Sequence, residues 1–432
     1  MNRSLYTIFL YILSPLIWLY FLYRGFKDPD YLKGLKQRLG FALHQNAGNN
    51  IHVHCASVGE TRAAIPLLTR LAKDYPTNTI LITTTTPTGR VEVLKLIKKL
   101  QADNIRQQRI QHCYLPIDWP GACHRFAKWS NPKISILMET ELWPNLLHQL
   151  SKRNIPVLLA NARLSDSSLK KYQKHLPLSK ELFSNISQVA AQYQSDSLNF
   201  QSLGVANDSI ELTGSIKFDI WLSDDLKSKQ NQLKQQWSEH RLSWIAASIH
   251  PAEFELVLNV HQKLLTQFPE LLLIAVPRHP ERFEELKQIC QKLGLIYISR
   301  SDQRNPEKKH SVIVGDSMGE LTLMCGAANI AYVGGSLIER GGHNPLEPAA
   351  CGLPVIMGPS DYNFSDISQI LQKQDVLEKV EDASGLYNTM KKLLSQPALI
   401  EARSQATQNI FNSNRGAVDK IMVLVRKLMN SK

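Results

Sequence analysis

No two of the six cysteines stand in a C-x-x-C pair, which removes the zinc-ribbon and dithiol-redox classes. Cys55, Cys113, Cys123, Cys290, Cys325 and Cys351 lie in or beside apolar stretches, where cysteine acts as a small core residue in a reducing compartment. Low-complexity tracts and short internal repeats are also missing, so a disordered or solenoid protein is excluded. No spacing of His, Cys, Asp and Glu reads as a metal-ligand cluster, so no metal and no cofactor is expected. Acidic residues are in short supply: 38 Asp and Glu face 50 Lys and Arg, a net charge of +12. That excess implies an anionic partner, whether nucleic acid, a phospholipid surface or a phosphorylated substrate. What is present is a globular composition, 43% hydrophobic and 20% charged, over 432 residues, enough for two or three domains.

Charge is absent altogether from Ser4 to Tyr23. About 20 mainly apolar residues suffice for a membrane-spanning helix, and the tyrosines and Trp18 suit a membrane interface. Pro15 interrupts the run, which a membrane helix tolerates. No small-residue cleavage site follows, which argues against a signal peptide. Instead come Arg24, Lys27, Lys33, Lys36 and Arg38, a basic flank that stays in the cytoplasm against anionic lipid. Residues 1–24 are therefore expected to be a membrane anchor, spanning the bilayer or lying in its interface, with the rest of the chain cytoplasmic.

Beyond the anchor, short apolar runs alternate with helical patterns. The strand candidates are Ile51–Cys55, Thr79–Thr85, His112–Pro116, Ile134–Met138, Val157–Ala160, Gln188–Ala191 and Ile210–Thr213. A polar stretch rich in Lys, Gln and Ser covers 221–241 and reads as a helix or linker. A second series follows: Trp244–Ala247, Leu271–Val276, Ile296–Ser299, Val312–Val314, Ile330–Val333 and Pro354–Met357. The rhythm predicts two doubly wound, Rossmann-like α/β domains, 25–220 and 242–415, facing a cleft, with an amphipathic helix in 416–432. Ligands of such sheets bind beyond the carboxyl ends of the strands, so the residues after each strand are the candidates.

Gly59 permits a tight turn after the first strand, and Glu60 then opens a helix. A carboxylate there either complements the helix dipole or acts as a general base towards an acceptor hydroxyl. Glu139 and Glu141 follow Ile134–Met138. One is expected to cap the next helix, and the other to face the cleft and stabilise positive charge on a sugar ring. Arg163 and the lysines Lys170, Lys171, Lys174 and Lys180 form either a solvated face or a surface for a phosphorylated acceptor. Lys217, at the end of the first domain, is either an ordinary solvated lysine or a cation that balances a leaving phosphate. In the second domain Arg278 suits phosphate or carboxylate, His279 is equally well a structural residue, and Gly315–Glu320 suits an anion or a ribose.

The most specific stretch runs from Gly334 to Glu347 and continues to Gly358. Its glycines let backbone N–H groups approach a phosphate, Asn344 and Pro345 open a helix, and Glu347 lies one turn in, placed to accept from ribose hydroxyls. A plain glycine turn needs no Glu339, His343, Asn344 and Glu347 at these spacings.

That stretch resembles the nucleotide-sugar site of GT-B glycosyltransferases. Together with Ser57-Val58-Gly59-Glu60, Met138–Asn145, Gly214–Asp219, Pro277–Arg282 and Gly341–Glu347, the chain resembles the Kdo (3-deoxy-D-manno-octulosonic acid) transferases along nearly its full length. The resemblance implies a GT-B fold and an inverting, metal-independent transfer of Kdo from CMP-Kdo to the lipid A precursor, lipid IVA, at the cytoplasmic face of a Gram-negative inner membrane. It implies Glu60 as catalytic base, with Glu139 and Lys217 stabilising the transition state. It places Pro277, Arg278, Met318, Gly319, Glu320, Asn344, Pro345, Leu346 and Glu347 against CMP. Arg38, Arg62 and Arg163 are the expected acceptor-binding cations. CMP-Kdo, lipid IVA and anionic membrane lipid are the expected partners, and nucleic acid is not. A GT-B-like nucleotide-sugar epimerase shares the C-terminal glycine/glutamate pattern but would need no anchor. A lipopolysaccharide-binding scaffold would have no use for an intact Glu60.

Overall fold

In the computed structural model, residues 2–41, 50–102, 110–220, 222–238 and 240–430 are described. They form two compact units: Met1–Asp219 with Asn414–Lys432, and Ile220–Ser413.

The first unit is built on β1 (Asn50–His54), β2 (Thr79–Thr84), β3 (Ile110–Tyr114), β4 (Ile134–Met138), β5 (Val157–Ala162), β6 (Gln188–Ala191) and β7 (Ile210–Leu212). All pairings are parallel, in the order β3-β2-β1-β4-β5-β6-β7. Helices cover both faces, so the strands are buried on both sides. β1 shows how its sequence meets that demand. Ile51 and Val53 enter an apolar cluster with Leu67, Ile82 and Ile136. His52 and His54 face the other way and are fully buried. His52 bonds Ser135 Oγ at 2.8 Å and Thr83 Oγ1 at 2.9 Å, which ties β1 to both neighbours. Burial pulls His52 down to about 3 and His54 to about 4, so both are neutral core residues.

The second unit repeats the plan with β8 (Ser243–Ile249), β9 (Leu272–Pro277), β10 (Tyr297–Ser299), β11 (Val312–Val314), β12 (Ile330–Val333), β13 (Val355–Met357) and β14 (Leu377–Lys379). Its order is β10-β11-β9-β8-β12-β13-β14, again all parallel. β14 is the strand that sequence reading missed, because Leu-Glu-Lys carries no apolar run. In the first sheet the chain winds outwards in both directions from the central pair β1/β4; in the second the central pair is β8/β12, and beyond β9 the chain runs to the edge strand β10 before returning to fill β11. Those pairs are the topological switch points, where a crevice opens beyond the carboxyl ends of the strands.

Two segments depart from expectation. The polar stretch 221–241 holds a helix, Asp224–Ser238, whose Leu233 and Trp237 pack into the core of the second unit, so it is part of that unit; Trp221 and Glu239 lie outside the described residues. The C-terminal helix Ala417–Asn430 belongs to the first unit, burying Ile421, Met422 and Val425 in the core it shares with β4, β5 and the helix Val58–Asp74.

The anchor is the larger correction. Among the described residues no single helix is long and apolar enough to cross a membrane. The uncharged run is two helices, Arg3–Ile12 and Ser14–Lys27, bent by 53°. Leu13 closes the first, and Pro15 stands in the opening turn of the second, where its missing N–H is harmless. One side of the pair docks on the first unit. Tyr11 stacks on Trp119, Arg3 pairs with Glu181 at 2.7 Å, and Thr7 donates to Asn145 Oδ1 at 3.1 Å. The other side exposes Leu5, Ile8, Phe9, Ile12, Leu16 and Leu19.

Candidate active site

At the β1/β4 switch point, Ser57 caps the helix Val58–Asp74 and Glu60 completes a reciprocal box. Glu60 N donates to Ser57 Oγ (3.2 Å), Ser57 Oγ donates to Glu60 Oε1 (3.0 Å), and Ala56 N donates to Glu60 Oε2 (2.8 Å). The carboxylate caps the helix, and it is 7% exposed rather than solvated. Burial raises its pKa to about 7, and the charges of Glu139 and Glu141 push the same way against the hydrogen bond from Ala56. Glu141 is raised as well, by burial and then by Glu139. Three carboxyl groups thus share one patch.

Glu139 stands at φ +56°, a left-handed conformation that a non-glycine residue adopts at a cost of about 1 kcal/mol or more. The turn redirects its side chain off the end of β4, and Lys217 Nζ meets it at 2.9 Å. Lys217 is fixed through its own loop. Asn161, also left-handed at φ +54°, accepts from Ile216 N at 3.1 Å, and Asn414 accepts from Ser215 N at 2.6 Å. Asp219 receives Gly416 N (2.9 Å) and Val418 N (2.8 Å) at the start of the C-terminal helix. The returning chain thereby holds the Lys217 loop in place.

Neither Glu139 nor Glu141 caps the helix Pro144–Ser151, contrary to expectation. Asp118 does so from the loop after β3, accepting from Asn145 N (3.0 Å) and Leu146 N (2.8 Å). Both carboxylates after β4 are thereby left for the site.

In the second unit, His250 opens the helix Pro251–Leu265 after β8. Glu253 is fully buried and accepts from His250 N (3.0 Å), Gly335 N (2.7 Å), Leu337 N (3.4 Å) and Tyr332 OH (2.6 Å). It is the pin that joins the β8 and β12 loops at the switch point. Arg278 N donates to Ile249 O at 2.9 Å, and its side chain is exposed beside that loop. Asn344 Oδ1 accepts from Leu346 N (3.1 Å) and its amide donates to Glu347 (3.3 Å), so Asn344 both starts the five-residue helix Leu346–Ala350 and orients Glu347. Gly358 passes directly over this loop. A Cβ there would lie 2.1 Å from Ser336 O, and Gly358 N donates to Ser336 Oγ at 2.8 Å. Because the opposing atom is backbone, Gly358→Ala is expected to lose about 3 kcal/mol or more in denaturant unfolding of the full chain. An unchanged midpoint would contradict this close approach.

Residues 33–220 match the family model described as 3-Deoxy-D-manno-octulosonic-acid transferase (kdotransferase). The 3-deoxy-D-manno-octulosonic acid transferase of Haemophilus influenzae is 42% identical over 431 residues, covering 99% of this chain and 98% of that protein. The chain belongs to the Kdo transferase family. The enzyme of Bordetella pertussis is 32% identical over 98% of both chains. Among solved structures, the C-terminal CMP-Kdo binding domain of WaaA from Acinetobacter baumannii is 34% identical, with 44% of this chain and 98% of that chain covered, at a TM-score of 0.42. The protein is thus a glycosyltransferase of Kdo transfer in lipopolysaccharide synthesis.

In this Kdo transferase the structure brings Glu60, Glu139 and Lys217 together on the first unit, and Pro277, Arg278, Asn344, Pro345, Leu346 and Glu347 around the loops of the second. Glu320 is engaged by Arg300 through two bonds of 3.1 Å and by Ser317 Oγ at 2.5 Å. Gly319 is left-handed at φ +79°, and Met318 is 65% exposed. Of the acceptor candidates, Arg163 is exposed and Arg62 pairs with Glu92 at 3.2 Å. Arg38 lies in the interior. Its guanidinium sits over the rings of Tyr114 (4.1 Å) and Phe21 (4.8 Å) and donates to Thr85 O at 2.9 Å, so it fastens the N-terminal helices to the sheet. Asn161, directly after a strand, and Asp219, at the end of the Gly214–Asp219 motif, are visible in the sequence but carry no assigned role there. Glu253 is not singled out by the sequence, although it is the third residue after His250 at the mouth of a strand.

Proposed function

We propose that the chain transfers Kdo from CMP-Kdo to the 6'-hydroxyl of lipid IVA, as an inverting, metal-independent enzyme of lipopolysaccharide core synthesis. The observation that carries this reading is Glu60: a buried carboxyl raised to about 7, next to the Glu139–Lys217 pair, at a switch point. Such a group is a competent base near neutrality. The acceptor oxygen bonds to the anomeric carbon of Kdo while the bond from that carbon to the phosphate oxygen breaks. The electron pair leaves on CMP, and the hydroxyl proton passes to Glu60. Direct attack inverts the anomeric centre. Glu139 stabilises the oxocarbenium-like sugar, and Lys217 and Arg278 steady the negative charge of the departing CMP or of the Kdo carboxylate. On the donor side, Pro277, Arg278, Met318–Glu320 and Asn344–Glu347 contact CMP, with Glu347 on the ribose. Arg62, Arg163 and the lysine-bearing helices are left for the acceptor phosphates. Mass spectrometry and NMR of the lipid product test the acceptor assignment. Kdo attached elsewhere than at the 6'-oxygen would contradict it.

We also propose that the bent helix pair lies in the interface of the inner membrane, on its cytoplasmic face, against anionic lipid. Its exposed apolar side supports this, together with Phe26, 92% exposed, and the neighbouring Lys27, Lys33 and Lys36. Ile12→Glu with Phe26→Glu is expected to lose most co-sedimentation with anionic vesicles while leaving the melting temperature unchanged. Undiminished co-sedimentation would remove the helix pair from the membrane contact.

A further inference from the structure

Where β8 and β12 part, three imidazoles converge on one patch of the second unit. His250 Nε2 and His343 Nε2 lie 2.9 Å apart, with the ring planes only 19° apart and the centroids 5.0 Å apart, an edge-to-edge arrangement. The ring of His279 is 5.4 Å from that of His250. Two ring nitrogens at such a distance bond only if one carries the proton and the other a lone pair, so the two histidines hold complementary tautomers.

The backbone builds this contact. His343 N donates to Gly334 O at 3.1 Å and Gly342 N to Gly335 O at 2.8 Å, which lays the His343 ring over Gly335. A Cβ on Gly335 would stand 3.1 Å from that ring, and the residue is left-handed at φ +69°, so only glycine leaves the space open. The charged and titratable groups facing the pair are Glu253 from the helix of His250, Arg278 and His279 from the loop after β9, and Arg340 from the loop after β12. Arg278 and Arg340 outnumber Glu253, so the fixed charge around the pair is net positive. Burial, then Arg278 and the neighbouring imidazoles, hold His343 down to about 4, and burial lowers His250 as well. Both are therefore neutral at pH 7 while no anion is bound.

We propose that His250 and His343 form a proton-sharing pair that receives an anionic oxygen of the donor and takes up a proton as the donor binds. This rests on the donor site proposed above and adds a positioning device to it. An anion set among Arg278, Arg340 and the pair offsets the neighbouring positive charges and favours the imidazolium against the burial that otherwise keeps both rings neutral. The pair then becomes imidazolium plus imidazole, its proton drawn from solvent, without breaking the shared Nε2–H···Nε2 bond. The anionic oxygen belongs either to the phosphate or to the sugar carboxylate.

Calorimetry of the full-length protein separates these cases. The probe is cytidine 5'-methyl phosphate, a phosphodiester that does not titrate in the range, measured in buffers of different ionisation enthalpy. The expected result is uptake of up to about one proton at pH 7 and a Kd that weakens by up to about tenfold per pH unit as pH rises. His343→Gln keeps a hydrogen-bonding side chain and is expected to abolish both the uptake and the slope. His250→Gln should do the same from a different element, with thermal melts reporting folding of each. Uptake with the phosphodiester assigns the phosphate. If that probe binds without uptake, while the KM for CMP-Kdo rises with pH in wild type but not in His343→Gln, the carboxylate is assigned. Binding of the probe without uptake, together with a pH-independent KM for CMP-Kdo, overturns the proposal and leaves the donor site standing. Failure of any cytidine nucleotide to bind overturns the donor site itself.

Discussion

Glu60→Gln is expected to lower the rate of Kdo transfer by about 10²–10⁴-fold, the usual contribution of a positioned general base. Glutamine keeps one acceptor oxygen for Ala56 N, its amide nitrogen can donate to Ser57 Oγ in place of the second bond, and the backbone bond from residue 60 N to Ser57 Oγ is untouched, so the helix cap survives. The variant therefore separates chemistry from folding, and the stability change should have the opposite sign. A carboxyl whose pKa moves from 4.5 to about 7 on folding favours the fold while it is protonated. That contribution is complete below about 4.5 and gone once the pH has risen through about 7. Above pH 7 the ionised group weighs against the fold by on the order of 3 kcal/mol. At pH 8 the glutamine variant should accordingly unfold no more readily than wild type, and its advantage should shrink as the pH is lowered. In wild type the acid limb of kcat/KM should turn near pH 7. A limb near 4.5, or a variant that unfolds first at pH 8, would contradict this placement of Glu60.

Lys217→Met is the second large effect. It removes the cation 2.9 Å from Glu139 and leaves Glu60, Glu139 and Glu141 to repel one another. Transfer is expected to fall by about 10²–10³-fold, as when a preorganised electrostatic partner is lost. The acid limb of the residual activity should move above that of wild type, because Glu60 must then ionise beside an uncompensated Glu139. The pair is partly exposed, with side chains 13% and 25% accessible, so the accompanying loss of stability should be about 1–3 kcal/mol, short of a fully buried pair. Lys217→Arg should restore part of the rate and return the limb towards pH 7. A limb unchanged in Lys217→Met would mean that the lysine does not set the charge balance of the site.

The central strands were legible because a parallel sheet covered on both faces must be written in near-continuous apolar runs, as in Ile134–Met138 and Leu272–Pro277. β14 was not, since Leu-Glu-Lys at a sheet edge buries mainly its first residue. The uncharged N-terminal run was visible, but its bend was not foreseen. In the sequence Pro15 reads as an interruption within one helix, whereas it opens a second one. Glu60, Glu139 and Lys217 could be found because each follows a strand. The devices that aim them could not. The left-handed turn at Glu139 leaves no compositional trace, and the partner of Ser215 is Asn414, 199 residues away. The same holds for Asp118, which caps the helix assigned in the sequence to Glu139 or Glu141. Arg38 misled for a related reason: a basic residue beside an anchor looks solvated until the rings that cover it are placed.

The most direct test of the account is acceptor-dependent CMP release by the purified full-length protein supplied with CMP-Kdo. Release is expected when lipid IVA is present, to be absent without it, and to be lost in Glu60→Gln. No lipid-dependent release by wild type would contradict the proposed transfer, and undiminished release by the variant would contradict the role of Glu60.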